Sequence, residues 1–339
     1  MILNCDTPLG PHRIIAEPGC LRRAGELLNL RRRVLIVTDD GVPADYARTV
    51  AASCREARIV TVPQGERSKC FETLQELLRQ MLDFSLTRQD CVVAVGGGVV
   101  CDLAGFAASV YMRGIDCCTV PTTVLAQADA AVGGKTAIDF AGVKNLVGAF
   151  HFPPVVLIDT DLLRTLPRRH ISAGLAEAVK IGLTCDGELF SLFETDDPLA
   201  HLSEIVAQSV RLKRDVVSRD ASDQGERRVL NFGHTIGHAI EAARPDLLHG
   251  ECVALGMLPM CAPAVRRRLE AVLHRLGLPT CLSLPAEALA QTIAHDKKAE
   301  NDAVRAVLVP EAGTYEIRML TVGDLLRRLE TIQGGAEKP

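Results

Sequence analysis

The chain reads as two domains: an α/β domain built on a parallel sheet over residues 1–163, then a mainly α-helical domain over residues 164–339. Three observations predict this. Short β-branched runs alternate with helical patterns in the first half. Strand patterns become scarce after Asp161. No low-complexity linker separates the halves, so the domains are expected to pack closely and to share a cleft that holds the active site.

In chain order, Val34–Thr38 and Arg58–Val62 read as buried strands, and Phe71–Leu82 carries apolar residues at helical spacing. Cys91–Val95 reads as a third strand, and the runs around Cys118–Val120 and Val155–Ile158 supply the rest. Strand, helix, strand repeated in this way implies a parallel sheet with helices on its faces, whose ligands bind at the carboxyl ends of the strands. The boundary falls near Asp159–Pro167. Beyond it, Ala173–Leu183, Glu204–Val217, Leu230–Ala243, Val253–Met260 and Ala264–Leu276 read as helices, with one late strand at Ala306–Val309.

The length of 339 residues allows two cores, and 47% hydrophobic with 24% charged residues is a soluble, globular composition. The net charge is −4 and no basic block is present, so no nucleic-acid partner is expected. Met1–Asp6 lacks the basic-then-apolar pattern of a signal peptide, and no run approaches the ~20 apolar residues of a membrane span. A cytoplasmic location and no membrane partner are expected. The 12 cysteines are scattered without a CxxC pair; they read as reduced, small hydrophobes and not as disulfides or zinc thiolates.

Two constellations carry chemistry. Gly96-Gly97-Gly98 follows a predicted strand and opens a helix containing Val99 and Asp102. Glycines there let the backbone approach a phosphate, and the helix N-terminus offers unpaired N–H groups. Cys101 takes the sixth position of the run, so it is not a G-x-G-x-x-G fingerprint; alone it equally describes a tight turn. Thr38-Asp39-Asp40-Gly41, the stretch Pro63–Lys69 and Thr122-Thr123 all sit at predicted carboxyl ends of strands as well. Together they describe a Rossmann-like nucleotide site.

The second constellation is Leu230–Glu241 with Leu248–Glu251. Asn231, His234 and His238 fall at i, i+3 and i+7 and so are expected to share one helix face, with His249 supplying a further imidazole. Such a wall suits a metal or an anion. Glu177 and Lys180 stand three apart in a helix rich in Ala, Leu and Val, which predicts burial; a buried carboxylate needs a cation or metal beside it. Arg113, Lys135, Lys213, Arg227 and Lys298 are each, taken singly, a solvated charge. Converging, they mark a substrate carrying phosphate and carboxylate.

Nine segments carry a resemblance, in order along the chain: Gly96–Phe106, Tyr111–Gly114, Val120–Gln127, Val132–Thr136, Lys144–Phe150, Ala173–Glu177, Leu230–Thr235, His249–Glu251 and Asp296–Lys298. With them the sequence resembles the 3-dehydroquinate synthase family of sugar phosphate cyclases. The resemblance implies zinc (or cobalt) ligands at Glu177, His234 and His249. It implies NAD contacts from Asp39, Glu66, Lys69, Gly97, Gly98, Val99, Asp102, Thr122, Thr123, Lys135, Lys144, Leu162 and Thr165. Substrate phosphate would meet Lys135, Asn231, His238 and Lys298, with Arg113 reaching in from a partner subunit of a homodimer. Lys213 and Arg227 would clamp the carboxylate, and Asp129, Asn145 and Lys180 would contact hydroxyls.

The implied reaction converts 3-deoxy-D-arabino-heptulosonate 7-phosphate to 3-dehydroquinate and phosphate, a step of the shikimate pathway to aromatic amino acids. It runs by transient NAD-dependent oxidation, phosphate elimination, re-reduction and ring closure. The sequence departs from the family pattern at Cys101 (usually glycine), Asp139 (usually asparagine), Gly41 (usually polar) and the loop Asp220–Glu226, usually more acidic. Another zinc- and NAD-dependent cyclase or alcohol dehydrogenase of the same fold is the alternative activity. A non-catalytic NAD-binding regulator is the third reading, against which the intact Glu177, His234 and His249 set argues.

Overall fold

The computed structural model describes residues 1–7, 10–195, 197–282, 289 and 303–332. The chain divides into two compact units, Met1–Leu166 with Lys213–Ser222, and Pro167–Leu212 with Asp223–Pro339.

The first unit holds strands β1 (Ile2–Thr7), β2 (Gly10–Ala16), β3 (Arg33–Asp39), β4 (Glu56–Val62), β5 (Cys91–Gly96), β6 (Asp116–Pro121), β7 (Lys135–Phe140), β8 (Val143–Phe150) and β9 (Val155–Ile158). Its helices are α1 (Ala24–Leu27), α2 (Ala44–Ala51), α3 (Phe71–Asp83) and α4 (Gly98–Val110). Seven strands form one sheet in the order β1-β2-β9-β6-β5-β3-β4, parallel except for the β1–β2 pair. Every residue of β5 is buried, which is why that strand is a continuous apolar run and was legible as one.

From β3 the chain passes to β4 on one side and to β5 on the other. That reversal places a switch point at the carboxyl ends of β3 and β5, at Asp39 and Gly96. Past β9, the buried Asp159 carboxylate accepts from the backbone N–H of Gly19 at 2.7 Å, Leu21 at 3.0 Å and Asp161 at 3.0 Å. Buried Gln127 donates through Nε2 to the carbonyls of Pro121 at 3.0 Å and Asp159 at 2.8 Å, tying the ends of β6 and β9 together.

The second unit holds α5 (Arg168–Cys185), α6 (Gly187–Leu192), the start of α7 (Leu202–Arg219), α8 (His234–Ala243), α9 (His249–Met257) and α10 (Pro263–Leu276). An antiparallel pair, β10 (Ala303–Leu308) and β11 (Glu316–Thr321), precedes α11 (Val322–Glu330). The sequence reading found β10 but not β11.

Two expectations are corrected. Arg58–Val62, read as a buried strand, lies in the edge strand β4, where only Val62 is buried. The helix read from Leu230 begins only at His234, so Asn231 does not share a helical face with His234 and His238. Gly233 adopts φ +78, and a Cβ there would sit 2.6 Å from Met257 Cγ. A short 3-10 turn, Glu226–Asn231, precedes this break and leaves Asn231 exposed. In the first unit α4 ends at Val110, and Arg113 stands beyond it, in a turn where Met112 (φ 51) and Arg113 (φ 69) are left-handed.

Asp159→Ala would orphan three backbone donors, a loss of roughly 3 kcal/mol or more. The midpoint of urea unfolding should fall accordingly; an unchanged midpoint would mean those N–H groups find other partners.

Candidate functional site

In the second unit, α5 presents Glu177, with 1% of its side chain exposed, to three cationic or imidazole groups. Lys180 Nζ lies 2.5 Å from Oε2, while His249 Nε2 and His234 Nε2 lie 3.2 and 3.6 Å from Oε1. Yet neither buried oxygen of Glu177 accepts a hydrogen bond of acceptable geometry. His234 Nδ1 faces the Phe232 carbonyl at 3.1 Å and His249 Nδ1 faces Glu241 Oε2 at 3.2 Å. These partners place a proton at Nδ1 of each ring; in the neutral form each ring then turns an Nε2 lone pair toward the carboxylate, His249 after a cation has displaced its second proton. Converging lone pairs without hydrogens between them fit a divalent cation: Glu177, His234 and His249 each offer a donor atom within 4.8 Å of the others.

Electrostatics agree. Burial alone would raise the Glu177 pKa, but Lys180, His234 and His249 hold it well below the usual carboxylate range, so it stays ionised. Burial, reinforced by the charges of Lys180, His249 and His238, outweighs Glu177 and pushes His234 well below its usual value, so it stays neutral. His249 goes the other way: burial opposes its charge, but Glu177 and Glu241 raise it to about 9.

His238, Glu241 and His249 form a second, overlapping trio. Filling it would strip the proton from His249 Nδ1, so Glu241 is better read as the group that orients His249. Sequence reading passed over Glu241. Its signal was there: it stands seven residues after His234 and three after His238, on the same helical face.

Glycines set the spacing of these helices. A Cβ on Gly250 of α9 would overlap the carbonyl oxygen of Ala173 on α5, and one on Gly256 would overlap that of Gly233. At Gly237 of α8 it would come within 3.1 Å of the Cys252 carbonyl oxygen. Backbone thus meets backbone where His234, His249 and Glu177 converge.

In the first unit, the carboxyl edge of the sheet gathers Asp39, the Gly97-Gly98 start of α4 and Thr122-Thr123. No side chain caps α4, so its first N–H groups face the edge. A Cβ on Gly97 would crowd Thr123 Cγ2 at 3.1 Å, so glycine keeps this approach open. Val99 and Asp102 follow in the first turns of α4. The buried Thr38 hydroxyl, next to Asp39, lacks a hydrogen-bond partner. Glycine backbone, open helix N–H groups and an unsatisfied hydroxyl fit a dinucleotide. Leu162 and Thr165 occupy the 3-10 turn after β9, where Tyr46 Oη meets Thr165 Oγ1 at 3.1 Å.

Several predicted contacts are engaged with each other. Buried Lys69 pairs with Asp102 at 2.8 Å and Glu66 at 3.5 Å and donates to Asn145 Oδ1. Burial raises the Asp102 pKa, against the pull of Lys69. Asp139, one of the departures, accepts from the Asn145 N–H at 2.8 Å and supports its left-handed backbone. Lys213 pairs with Asp129, which lies within a π-helical turn, Ala126–Ala130. Lys135 opens β7 and Lys144 lies on β8, both exposed. Arg227 is buried at 3% exposure, while Asn231 and His238 are exposed. Lys298 lies outside the described residues.

A parallel sheet with a glycine-opened helix at its switch point, followed by helices holding one carboxylate and two imidazoles, defines a class of two-unit, dinucleotide- and metal-dependent proteins. Residues 59–173 match the model of the 3-dehydroquinate synthase N-terminal region and residues 174–299 that of the C-terminal region. The chain belongs to the 3-dehydroquinate synthase family. A 3-dehydroquinate synthase of Caulobacter vibrioides is 42% identical over 332 residues, covering 88% of this chain and 90% of that one. Among solved structures, the 2-epi-5-epi-valiolone synthase of Streptomyces hygroscopicus subsp. jinggangensis, with NAD+ and Zn2+ bound, superposes with a TM-score of 0.87 at 28% identity, covering 95% of this chain and 96% of that one. A 2-deoxy-scyllo-inosose synthase, complexed with carbaglucose-6-phosphate, NAD+ and Co2+, shares the fold with a TM-score of 0.86 at 24% identity, covering 98% and 99%.

The raised His249 pKa has a measurable consequence in metal-free protein. The folded group keeps its proton to about 9, against 6.5 when unperturbed. Its contribution to stability is complete below pH 6.5 and is lost as pH rises through 9. Melting temperature measured in chelator should therefore drop between those two values, and Glu241→Gln should shallow the drop. A wild-type profile in Glu241→Gln would show that Glu241 does not hold the proton.

Proposed function

We propose that this chain converts 3-deoxy-D-arabino-heptulosonate 7-phosphate to 3-dehydroquinate and phosphate, as a cytoplasmic homodimer. The observation that carries the reading is the buried Glu177 beside the Nε2 atoms of His234 and His249, in a chain of this family. Those three side chains hold the metal. When bound, the metal would supply Lewis-acid polarisation of a substrate oxygen, and NAD+ would supply reversible hydride acceptance without net consumption.

The chain's own residues bind and orient. The open N–H groups at Gly97, Gly98 and Val99 receive the dinucleotide diphosphate. Asp39, Glu66, Lys69, Asp102, Thr122, Thr123, Lys144, Leu162 and Thr165 surround the rest of the dinucleotide. Arg227 and Lys213 grip the substrate carboxylate. Lys135, Asn231, His238 and Lys298 take the phosphate, joined by Arg113 of the partner subunit. Asp129, Asn145 and Lys180 take the hydroxyls. Glu241 keeps the proton on His249 Nδ1, so that Nε2 remains a donor. With substrate phosphate as the base for elimination, the protein's contribution is orientation and charge stabilisation. Exposed Phe140, Val143, Leu146 and Phe150 on the β7–β8 hairpin, with Met112 beside Arg113, support self-association.

Phosphate release from the heptulosonate substrate, with zinc and NAD+ present and no net change in NADH absorbance, is the expected result. Accumulating NADH would indicate an alcohol dehydrogenase instead, and absence of phosphate release would refute the assignment. Arg227→Ala should retain zinc and NAD+ yet lose about 2–4 kcal/mol of transition-state stabilisation, on the order of a hundredfold in kcat/KM. An unchanged kcat/KM would place the carboxylate clamp elsewhere.

A further inference from the structure

We propose that Arg169 and Glu251 are a positioning pair that sets the register of α5 against α9 and thereby the metal affinity of the site; this rests on the metal reading given above. Arg169, Ala173 and Glu177 stand at i, i+4 and i+8 and form one stripe along α5. Facing them on the first turn of α9 are Glu251, Gly250 and His249. Each stripe residue meets one of the three. Arg169 donates to both carboxylate oxygens of Glu251, from Nε and Nη2, at 2.7 Å each. The Ala173 carbonyl fills the space a Cβ on Gly250 would need. Glu177 Oε1 lies 3.2 Å from His249 Nε2. The outer contact is ionic, the middle one is backbone against backbone, and the inner one is the metal site.

The same pair holds the chain that leads into α9. Glu251 Oε2 accepts from the Leu248 N–H at 2.8 Å, and Arg169 Nη2 donates to the Asp246 carbonyl at 2.8 Å. A lone surface ion pair stabilises little. Here the contact is bidentate, and the Glu251 side chain is only 9% exposed. Neither residue reaches the donor cluster, so their effect on the metal passes through the placement of His249 relative to Glu177. A lysine at 169 offers a point charge and no planar fork, so it cannot hold both oxygens.

The test is the zinc Kd of metal-free protein, by competition with a chelating dye, in wild type, Arg169→Ala, Arg169→Lys, Glu251→Gln and His234→Ala. The NAD+ Kd and the circular dichroism spectrum are measured alongside. Arg169→Ala and Glu251→Gln should bind zinc ~10- to 100-fold more weakly, the range for groups that orient metal ligands, with the NAD+ Kd unchanged. Arg169→Lys should fall between them and wild type. Wild-type zinc affinity in folded Arg169→Ala overturns the proposal. If Arg169→Ala loses zinc, NAD+ and its spectrum together, Glu251→Gln decides: its amide oxygen can still accept from Leu248, so folded protein with wild-type zinc affinity overturns the idea and weakened zinc supports it. His234→Ala separates the two readings, because wild-type zinc affinity in that variant sinks the metal assignment itself.

Discussion

A carboxylate with 1% exposure inside a helix is the constraint around which the second unit is built. A bare buried anion is far too costly to keep, so Glu177 must be surrounded by positive charge. Lys180 provides it from the same helix, and the two imidazoles provide a place for more. The three helices carrying these groups are drawn to backbone contact, which needs glycine at the crossing points and a chain break at Gly233. The anion, the glycines and the late start of α8 are thus parts of one arrangement.

The first unit differs in offering open backbone N–H groups in place of a charged cluster. An uncapped helix start at a switch point presents dipoles and needs no side-chain charge of its own. The lysines nearby are held differently. Lys69 and Lys213 are buried and each sits against an aspartate, so their ammonium groups are already stripped of most water and fixed in place. In the proposed function such groups would meet a ligand with less to reorganise than a hydrated surface lysine.

How much of this was legible follows from what local patterns report. The central strands β3, β5, β6 and β9 were readable because a sheet buried on both faces demands unbroken apolar runs. The β7–β8 hairpin was not: β8 is exposed along much of its length and shows no clean alternation. Burial of Glu177 and Lys180 was legible from their apolar neighbours and agrees with the structure. Counting by helical period placed Asn231 on α8 because periodicity takes no account of a left-handed glycine. Glu241 and Arg169 escaped notice because a charged residue on a helix reads as solvated until its tertiary partner is known. The pairing of Arg169 with Glu251, 82 positions away, has no local signature at all.

The seam of glycines beneath the histidines also limits what can be altered. Ordinary cores adjust to change by trading one side-chain volume for another. A junction closed backbone to backbone has no volume to trade at Gly250 and Gly256. The distance between donor atoms is therefore insulated from mutation in the surrounding apolar core. Under the proposed metal reading, an engineer seeking a different metal preference would change the donors or the polar groups that orient them, since substitutions in the apolar core have no volume through which to move them.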